Sequence, residues 1–449
     1  MTKTRGALFM IRTVFLCTII LFSFLHFGCR KDDGPCTTCP PTYVPSIFLD
    51  TLSVDVTEVL LRVRLTDTSG TARLALYRDS LLVFSGQPLR GDTTVSDTGL
   101  APAHQYDYKA YRLSDSRHTD STTLLTLRTL DTTSHNFTFQ IDTLGDGSSS
   151  VLYDVAIIND TLAYAVGEIY LRDSLGNWDP NAYNLAKWNG QHWELMRMQF
   201  YTICGQASRT PYPAKAIFAF SSNDIWIAMD GDQVARWNGT TQTATTCLPT
   251  SFAINKLWGE NSNSVYAVGE GGNIMHYSSG TWQRVESGTT LPIWDIFGAT
   301  NSRTGEYEII CVASNHSFPE GRKLLRIKGS SVVALPDSGL PWSIDAIWHV
   351  PGRKYIVVGD SVWNVNCLGS IWTSIRGLPN LYTTSIAGSA LNDIIIGGAF
   401  WNLLHFNGIA WRSYFPFISG ALGGVAIKGN LVIASGYIGN RAVVLQGRR

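Results

Sequence analysis

Apolar and polar positions alternate in short runs along most of the chain, and each run closes on Gly, Asn, Asp or Ser. The stretch from Val265 to Trp282, VYAVGEGGNIMHYSSGTW, shows the pattern in full. VYAV reads as a strand, GEGG as a turn, NIMHYS as a second strand and SG as a tighter turn, with Trp282 opening a third strand. Period-two alternation between turn clusters marks half-buried strands. No long stretch carries the 3.6-residue spacing of an amphipathic helix. An all-β chain is expected.

From residue 131 onward the pattern repeats. Aligned on the glycine that ends the third run, the units stop at Gly190, Gly239, Gly280, Gly329, Gly369, Gly408 and Gly447, at spacings of 49, 41, 49, 40, 39 and 39 residues. First-strand motifs recur in step: YDVAI (153–157), KAIFAF (215–220), NKLWGE (255–260), WDIFGA (294–299), DAIWHV (345–350), TSIAGS (384–389) and GGVAIK (423–428). Second strands such as LAYAVG (162–167), SVYAVG (264–269) and KYIVVG (354–359) follow them. Fourth strands open on Trp193, Trp282, Trp372 and Trp411, replaced by Thr241 and Val332 in units two and four. A period near 40 fits the four-stranded blade of a propeller, here seven-bladed over 131–449. The last unit has only three strands. NFTFQI (136–141), which alternates but has no partner of its own, is expected to supply the fourth and close the ring.

Residues 46–130 carry a different set of runs, EVLLRVRLT (58–66), ARLALYRD (72–79), LLVFSG (81–86), TTVSDTGL (93–100), YDYKAYRL (106–113) and STTLLTLRT (121–129). Turns every 8–12 residues indicate a β-sandwich. Leu100-Ala101-Pro102 followed by Tyr106, Tyr108 and Ala110 resembles the corner of fibronectin type III modules, in which a Tyr hydroxyl ties back to the backbone. That family's core Trp is absent, and Leu61 or Val63 would fill its place. The resemblance implies a spacer. The fold class expected is all-β, a fibronectin type III-like sandwich followed by a seven-bladed β-propeller.

Upstream of both modules, Lys3, Arg5 and Arg12 precede the apolar run Thr13 to Phe27, which ends at Gly28-Cys29. The run has signal-peptide length and is short of a membrane span. Gly28-Cys29 resembles a bacterial lipobox, which implies a signal peptide over 1–28 and lipidation of Cys29, although His26 and Phe27 depart from the preferred residues. An uncleaved N-terminal anchor is the other possibility. Arg30-Lys31-Asp32-Asp33 resembles the surface-export signal of Bacteroidetes lipoproteins. The implied location is the outer membrane, lipid-anchored and surface-exposed, with the lipid as the sole membrane contact. Residues 29–45 form a Pro-rich tether, in which Cys36 and Cys39 suit a local disulfide better than a metal or redox site.

Charge narrows the partners. Lys+Arg and Asp+Glu are 35 each, so the basic excess of a nucleic-acid binder is missing. Charged residues make up 16% of the chain, below the usual ~25%, and Ser, Thr, Asn and Gly carry the polar surface. The repeat resembles arrays in bacterial surface propellers, relatives of BNR-type and photosystem-assembly-factor-type repeats. Sialidases in that neighbourhood carry S-x-D-x-G-x-T-W boxes, of which Ser278 to Trp282 keeps only the tail. No H-E-x-x-H, G-x-S-x-G or D-x-D-x-D-G pattern occurs, and no cofactor, metal or catalytic residue is assigned. Cys204 and Cys247 are placed to pair; Cys311 and Cys367 read as buried strand thiols.

The blade-to-blade and second-to-third loops of a propeller emerge on one face, and the longest insertions fall there: 171–184, 200–213 and 314–322. Trp178, Tyr183, Tyr201, Tyr212, His316, Phe318, Trp401 and Tyr437 lie in or beside such loops. Aromatic faces among Asn and Asp suit stacking on sugars or contact with a protein. For any single one, packing of its loop onto a blade is the plainer reading. Glu168, Asp230, Glu270 and Asp360 follow second strands on the same face and could form a carboxylate ring or stand as solvated turn residues. The expected role is non-catalytic binding of a glycan or protein partner by a monomer. A polysaccharide hydrolase or lyase on the same face is the alternative, and a structural adhesion factor is the third.

Overall fold

The computed structural model describes residues 46–66, 73–86, 91–114, 117–302, 304–316, 321–415 and 418–449. The expectations for Cys29, for Cys36 and Cys39, and for Phe318 lie outside these residues.

Two sheets come first and pack face to face. One joins Ile47–Val54, Glu58–Leu65 and Asp92–Thr98. The other orders Leu81–Gly86, Arg73–Arg78 and Gln105–Ser114, onto which Arg117–Ser121 and Leu125–Arg128 both pair. Leu61, Val63, Leu76 and Tyr108 are fully buried in their shared core; the two residues expected to replace a core Trp are both there. The Tyr106 hydroxyl accepts the Ala101 N–H at 2.8 Å, a side chain-to-backbone tie across the corner. Tyr108 donates to Asp97 at 2.7 Å, and Arg78 grips both oxygens of the same carboxylate at 2.9 Å. Ile47–Val54 was not among the expected runs, because Asp50, Thr51 and Ser53 break its apolar pattern. Arg62 and Arg64, both on the adjacent strand Glu58–Leu65, hold Asp50 at 3.1 Å each, which makes a polar residue tolerable there.

Beyond residue 137 the chain forms seven four-stranded antiparallel sheets. Their first strands are Val151–Asn159, Ala214–Ser221, Ile254–Asn261, Ile293–Thr300, Ile344–Val350, Thr383–Ala390 and Ala421–Lys428. Each touches the next, and the seventh touches the first, so the first strands enclose a central channel. Thr138–Thr143 pairs with Arg441–Arg448 as the fourth strand of unit seven, two residues further along than NFTFQI. Apolar clusters lie between consecutive units. Tyr164 and Ile217 share one, Trp226 and Leu257 the next, and Leu152 and Val444 the one that joins units one and seven.

The joint between units six and seven is held by polar groups as well. Asp393, buried in unit six, takes Arg449 on both oxygens at 2.8 and 2.7 Å, and His405 lies 3.0 Å away. His135, ahead of the closing strand, meets His405 ring to ring at 2.8 Å between Nδ1 atoms. Burial alone would raise the Asp393 carboxyl, but the His405, Arg449 and Ser389 bonds outweigh it and hold it down to about 2.

Two recurring glycines have structural reasons. At the end of a second strand, a Cβ on Gly269 would stand 2.0 Å from the Ala253 carbonyl oxygen; the backbone of the preceding loop lies where a side chain would be. In the first strands, Trp258 covers Gly298, where a Cβ would come within 2.3 Å of the indole. Trp348 covers Gly388 in the same manner and donates to its carbonyl at 3.1 Å. The aromatic-then-glycine motif thus stitches one unit to the next.

The sandwich rests against turns of units four to six at the end of the channel away from the long loops. Arg353 lies 3.5 Å from Glu58, Asn392 donates to the Asp131 carbonyl at 2.7 Å, and a Cβ on Gly408 would meet Val56 at 2.4 Å. Cys204 and Cys247 form a disulfide. Cys311 is buried, but Cys367 is exposed: it lies past the end of Ser361–Val365, in a turn where the chain has left the sheet.

Candidate functional site

All seven first strands break register at the same place. The irregularities fall between Leu152 and Asp154, Ala214 and Ala216, Ile254 and Lys256, Ile293 and Asp295, Ile344 and Ala346, Thr383 and Ser385, and Leu422 and Gly424. A β-bulge inserts one residue and re-aims its neighbours. The inserted residues, including Tyr153, Lys215, Asn255 and Trp294, line a cavity of about 270 Å³ at the channel's end on the long-loop side. Below it lies a second cavity of about 330 Å³ with apolar walls, among them Phe218, Trp258 and Phe297. Lys256, Asp295 and Ser385 line both and form the floor of the mouth.

In units one, four and six the residue after the bulge accepts a backbone N–H from the next unit. The Ile217 N–H of unit two donates to Asp154 of unit one at 3.1 Å. The Ile347 N–H of unit five donates to Asp295 of unit four at 3.0 Å, and the Val425 N–H of unit seven to Ser385 of unit six at 3.2 Å. Each first strand is the inner edge of its sheet, and these acceptors satisfy N–H groups on that edge. Lys256 reaches across the ring to Asp154 at 2.8 Å. Burial works against its charge, but Asp154 and then Asp295 outweigh burial and raise its pKa. Burial pushes the Asp295 carboxyl up to about 6, against the pull of Lys256.

Two aromatic corners flank the floor. In the first, Tyr153 donates to Glu168 at 3.0 Å, Tyr170 donates to the same carboxylate at 3.2 Å, and the Lys215 ammonium lies 4.0 Å from the Tyr153 ring centre. In the second, His316 stacks on Trp294 with ring centres 4.4 Å apart, and its Nε2 lies 2.9 Å from Asp345. Burial disfavours the imidazolium, but the bond and charge of Asp345 outweigh it and raise the His316 pKa. Tyr382 and Ser343 share a hydrogen bond of 2.7 Å beside it.

Of the aromatic residues the sequence singled out, His316 lies at this mouth. Three others have a ring face covered by an arginine: Arg172 on Trp178 at 4.1 Å, Arg197 on Tyr183 at 3.8 Å and Arg209 on Tyr201 at 4.4 Å. Tyr212 packs into the core between units one and two. Trp401 is fully buried and donates to the Tyr437 carbonyl at 2.9 Å, while the Tyr437 side chain is exposed. The structure does not gather these six into one surface. Glu168 and Glu270 stand behind mouth residues, and among the described residues no three His, Cys, Asp or Glu side chains lie close enough to hold a metal ion.

The charged mouth residues Asp154, Lys256, Asp295 and Asp345 were not anticipated. Their signal was present: in the aligned first-strand motifs, Tyr153-Asp154, Asn255-Lys256 and Trp294-Asp295 are polar or aromatic pairs at one register position, where a buried inner strand should be apolar.

No family model matches the chain, and no curated protein matches it. Among solved structures, YCF48 bound to D1 peptide superposes with a TM-score of 0.51 at 14% identity, covering 71% of this chain and 99% of that one. The WD40 β-propeller domain of Doa1 gives 0.47 at 11%, covering 69% and 97%, and YCF48 from Cyanidioschyzon merolae gives 0.46 at 12%, covering 69% and 98%. The likeness is one of fold, and the fold is a β-propeller.

Proposed function

We propose that this chain is a non-catalytic binding protein that holds a segment of a protein partner at the mouth of a seven-bladed propeller. The observation that carries this is the mouth itself: a cavity of about 270 Å³ at the hub, lined by the inserted bulge residues, with hydrogen-bonding and aromatic groups side by side. Seven units each contribute to one concave site, which suits an extended chain or a protruding side chain better than a flat contact. The solved structure of like fold carries a bound peptide, which agrees with a peptide occupant. The sandwich, of fibronectin type III type, acts as a spacer at the far end. Cys29 carries the lipid that anchors the protein to the outer membrane, and the mouth faces outward.

The test is a photo-cross-linking amino acid placed at Thr384, which lines the mouth, against the same group at Val333, an exposed residue of an outer strand. The expected result on intact cells is a protein adduct at residue 384 alone. Equal adducts at both positions, or none at 384, would contradict the proposal. Recovery of a glycan at 384 would replace the protein partner by a sugar.

One observation favours a second role. A carboxyl that titrates near 6 beside a second carboxylate is suited to acid–base chemistry. If the mouth cleaves polysaccharide, Asp295→Asn abolishes turnover; if it only binds, no turnover exists to lose.

A further inference from the structure

The closing strand and the last strand of unit seven meet at one place on unit six. The linker between the sandwich and the closing strand, residues 131–136, is pinned there. Asn392 donates to the Asp131 carbonyl at 2.7 Å, and the Thr133 hydroxyl donates to the Asn392 carbonyl at 2.6 Å. The Thr133 N–H donates to the Asn407 carbonyl at 3.3 Å, and the Tyr414 hydroxyl to the His135 carbonyl at 2.6 Å. Arg449, just past the last strand, grips Asp393 of the same unit. Two imidazoles, His135 and His405, stand at the centre of these contacts.

The bonds locate their protons. His405 Nε2 lies 3.0 Å from Asp393 Oδ1; a carboxylate only accepts, so that nitrogen carries a hydrogen. The two Nδ1 atoms, 2.8 Å apart, have room for one hydrogen between them. If His135 owns it, a second proton on His135 would go to Nε2, which is buried with no hydrogen-bond partner. If His405 owns it, the His135 hydrogen is on Nε2, and a second proton would go to Nδ1 and point at the His405 N–H. A buried charge without a partner is costly in the first case, and two donors collide in the second. His135 is therefore neutral in the closed ring. Burial, then the charges of His405, Arg412 and Arg449, act in the same sense and lower its pKa to about 4. The anion beside them, Asp393, is already taken by His405, Arg449 and Ser389.

We propose that residues 131–143 form an acid-released latch: a second proton on His135 breaks its contact with His405, and the linker and closing strand leave units six and seven together. The two are coupled because Phe137 packs on His405 with ring centres 5.1 Å apart, and Phe137 and Phe139 both pack on Tyr414. Release uncovers the edge of Arg441–Arg448 that the closing strand now pairs. In the open latch His135 titrates near its ordinary 6.5, so the closed form binds the proton less tightly. The latch is firmest above about pH 6.5 and loosens, by at most tenfold per pH unit, as pH falls towards about 4. Asp393, held down to about 2, acts only at lower pH.

The test is hydrogen–deuterium exchange of the full chain at about pH 7.5 and about pH 5, read as protection factors so that the intrinsic pH dependence of exchange is removed. Amides of Thr138–Thr143 should lose about tenfold in protection between the two, while those of Ser264–Gly269 in unit three stay constant. His135→Gln keeps a donor and an acceptor but cannot take the proton, and should hold the closing strand's protection within about twofold. Equal protection of the closing strand at both pH values, or a loss in His135→Gln as large as in the parent, would overturn the latch. Should His135→Gln fail to fold, NMR titration of the parent reads the same proton. The His135 Cε1 resonance should hold its position down to about pH 5, and a midpoint near 6.5 would overturn the proposal.

Discussion

Replacing Asp295 by Asn should stabilise the protein at neutral pH and change nothing near pH 4. Asp295 is 7% exposed, and burial pushes its carboxyl up to about 6. In an unfolded chain the same group titrates near ~3.9. The folded state therefore binds the proton more tightly. Its contribution to stability is full below about pH 4 and is lost as pH rises through about 6. The gap between the two values corresponds to about 3 kcal/mol. The attraction of Lys256 is already contained in that figure, since it is what keeps the value from rising further. Asn keeps a carbonyl for the Ile347 N–H, which donates at 3.0 Å; it removes the charge and one of the two acceptor oxygens, which also serve the Ile296 N–H. Urea unfolding followed by tryptophan fluorescence should show Asp295→Asn more stable by about 3 kcal/mol near pH 7.5 and equal to the parent near pH 4. A variant that is destabilised at pH 7.5, or whose difference does not change with pH, would refute the reasoning. It would mean that Lys256 and the strand N–H groups favour the ionised Asp295 as strongly as burial disfavours it, so that its carboxyl is not raised in the fold.

The ring joint should be acid-sensitive in the opposite sense. The Asp393 carboxyl is held down to about 2, so its contribution is present above about pH 4 and lost as pH falls through 2; Arg449→Ala, which leaves a buried carboxylate behind, should cost about 3 kcal/mol near pH 7, read from the urea midpoint. Reduction of Cys204–Cys247, which closes 43 residues of sequence, should lower stability by up to about 4 kcal/mol, seen as an earlier thermal transition in dithiothreitol. Gly269→Ala places a methyl 2.0 Å from a backbone oxygen and should cost about 1–3 kcal/mol; an unchanged melting temperature would mean that the loop can move aside.

Much of the fold could be read from the chain because its repeats are set by steric needs. The second-strand glycine recurs because the loop backbone lies against it at Gly269 and its equivalents, and the aromatic-then-glycine pair recurs because one unit's ring covers the next unit's backbone. The closing strand was legible because Phe137, Phe139 and Ile141 alternate with no neighbour to pair with. The site was less legible for two reasons. A bulge turns adjacent residues toward one side, so strict alternation misjudges which residues of YDVAI or WDIFGA face the channel. And a large aromatic residue in a loop gives no sign of its direction. Trp401, at φ 60° in a tight turn, folds fully under the face, whereas Trp294, in a strand, lines the mouth. Cys367 was misplaced by the same limit: a run that looks continuous ends at Val365.

The central claim is that the hub, and not the long outer loops, holds the partner. Hydrogen–deuterium exchange on the full chain tests it, with and without the partner segment recovered by cross-linking at Thr384, added as a synthetic peptide. Protection is expected in the first strands around residues 151–156, 254–257, 293–296 and 344–347, where the bulges line the cavity. Protection confined to 171–184 and 200–213, with the first strands unchanged, would contradict the claim and return the site to the loops.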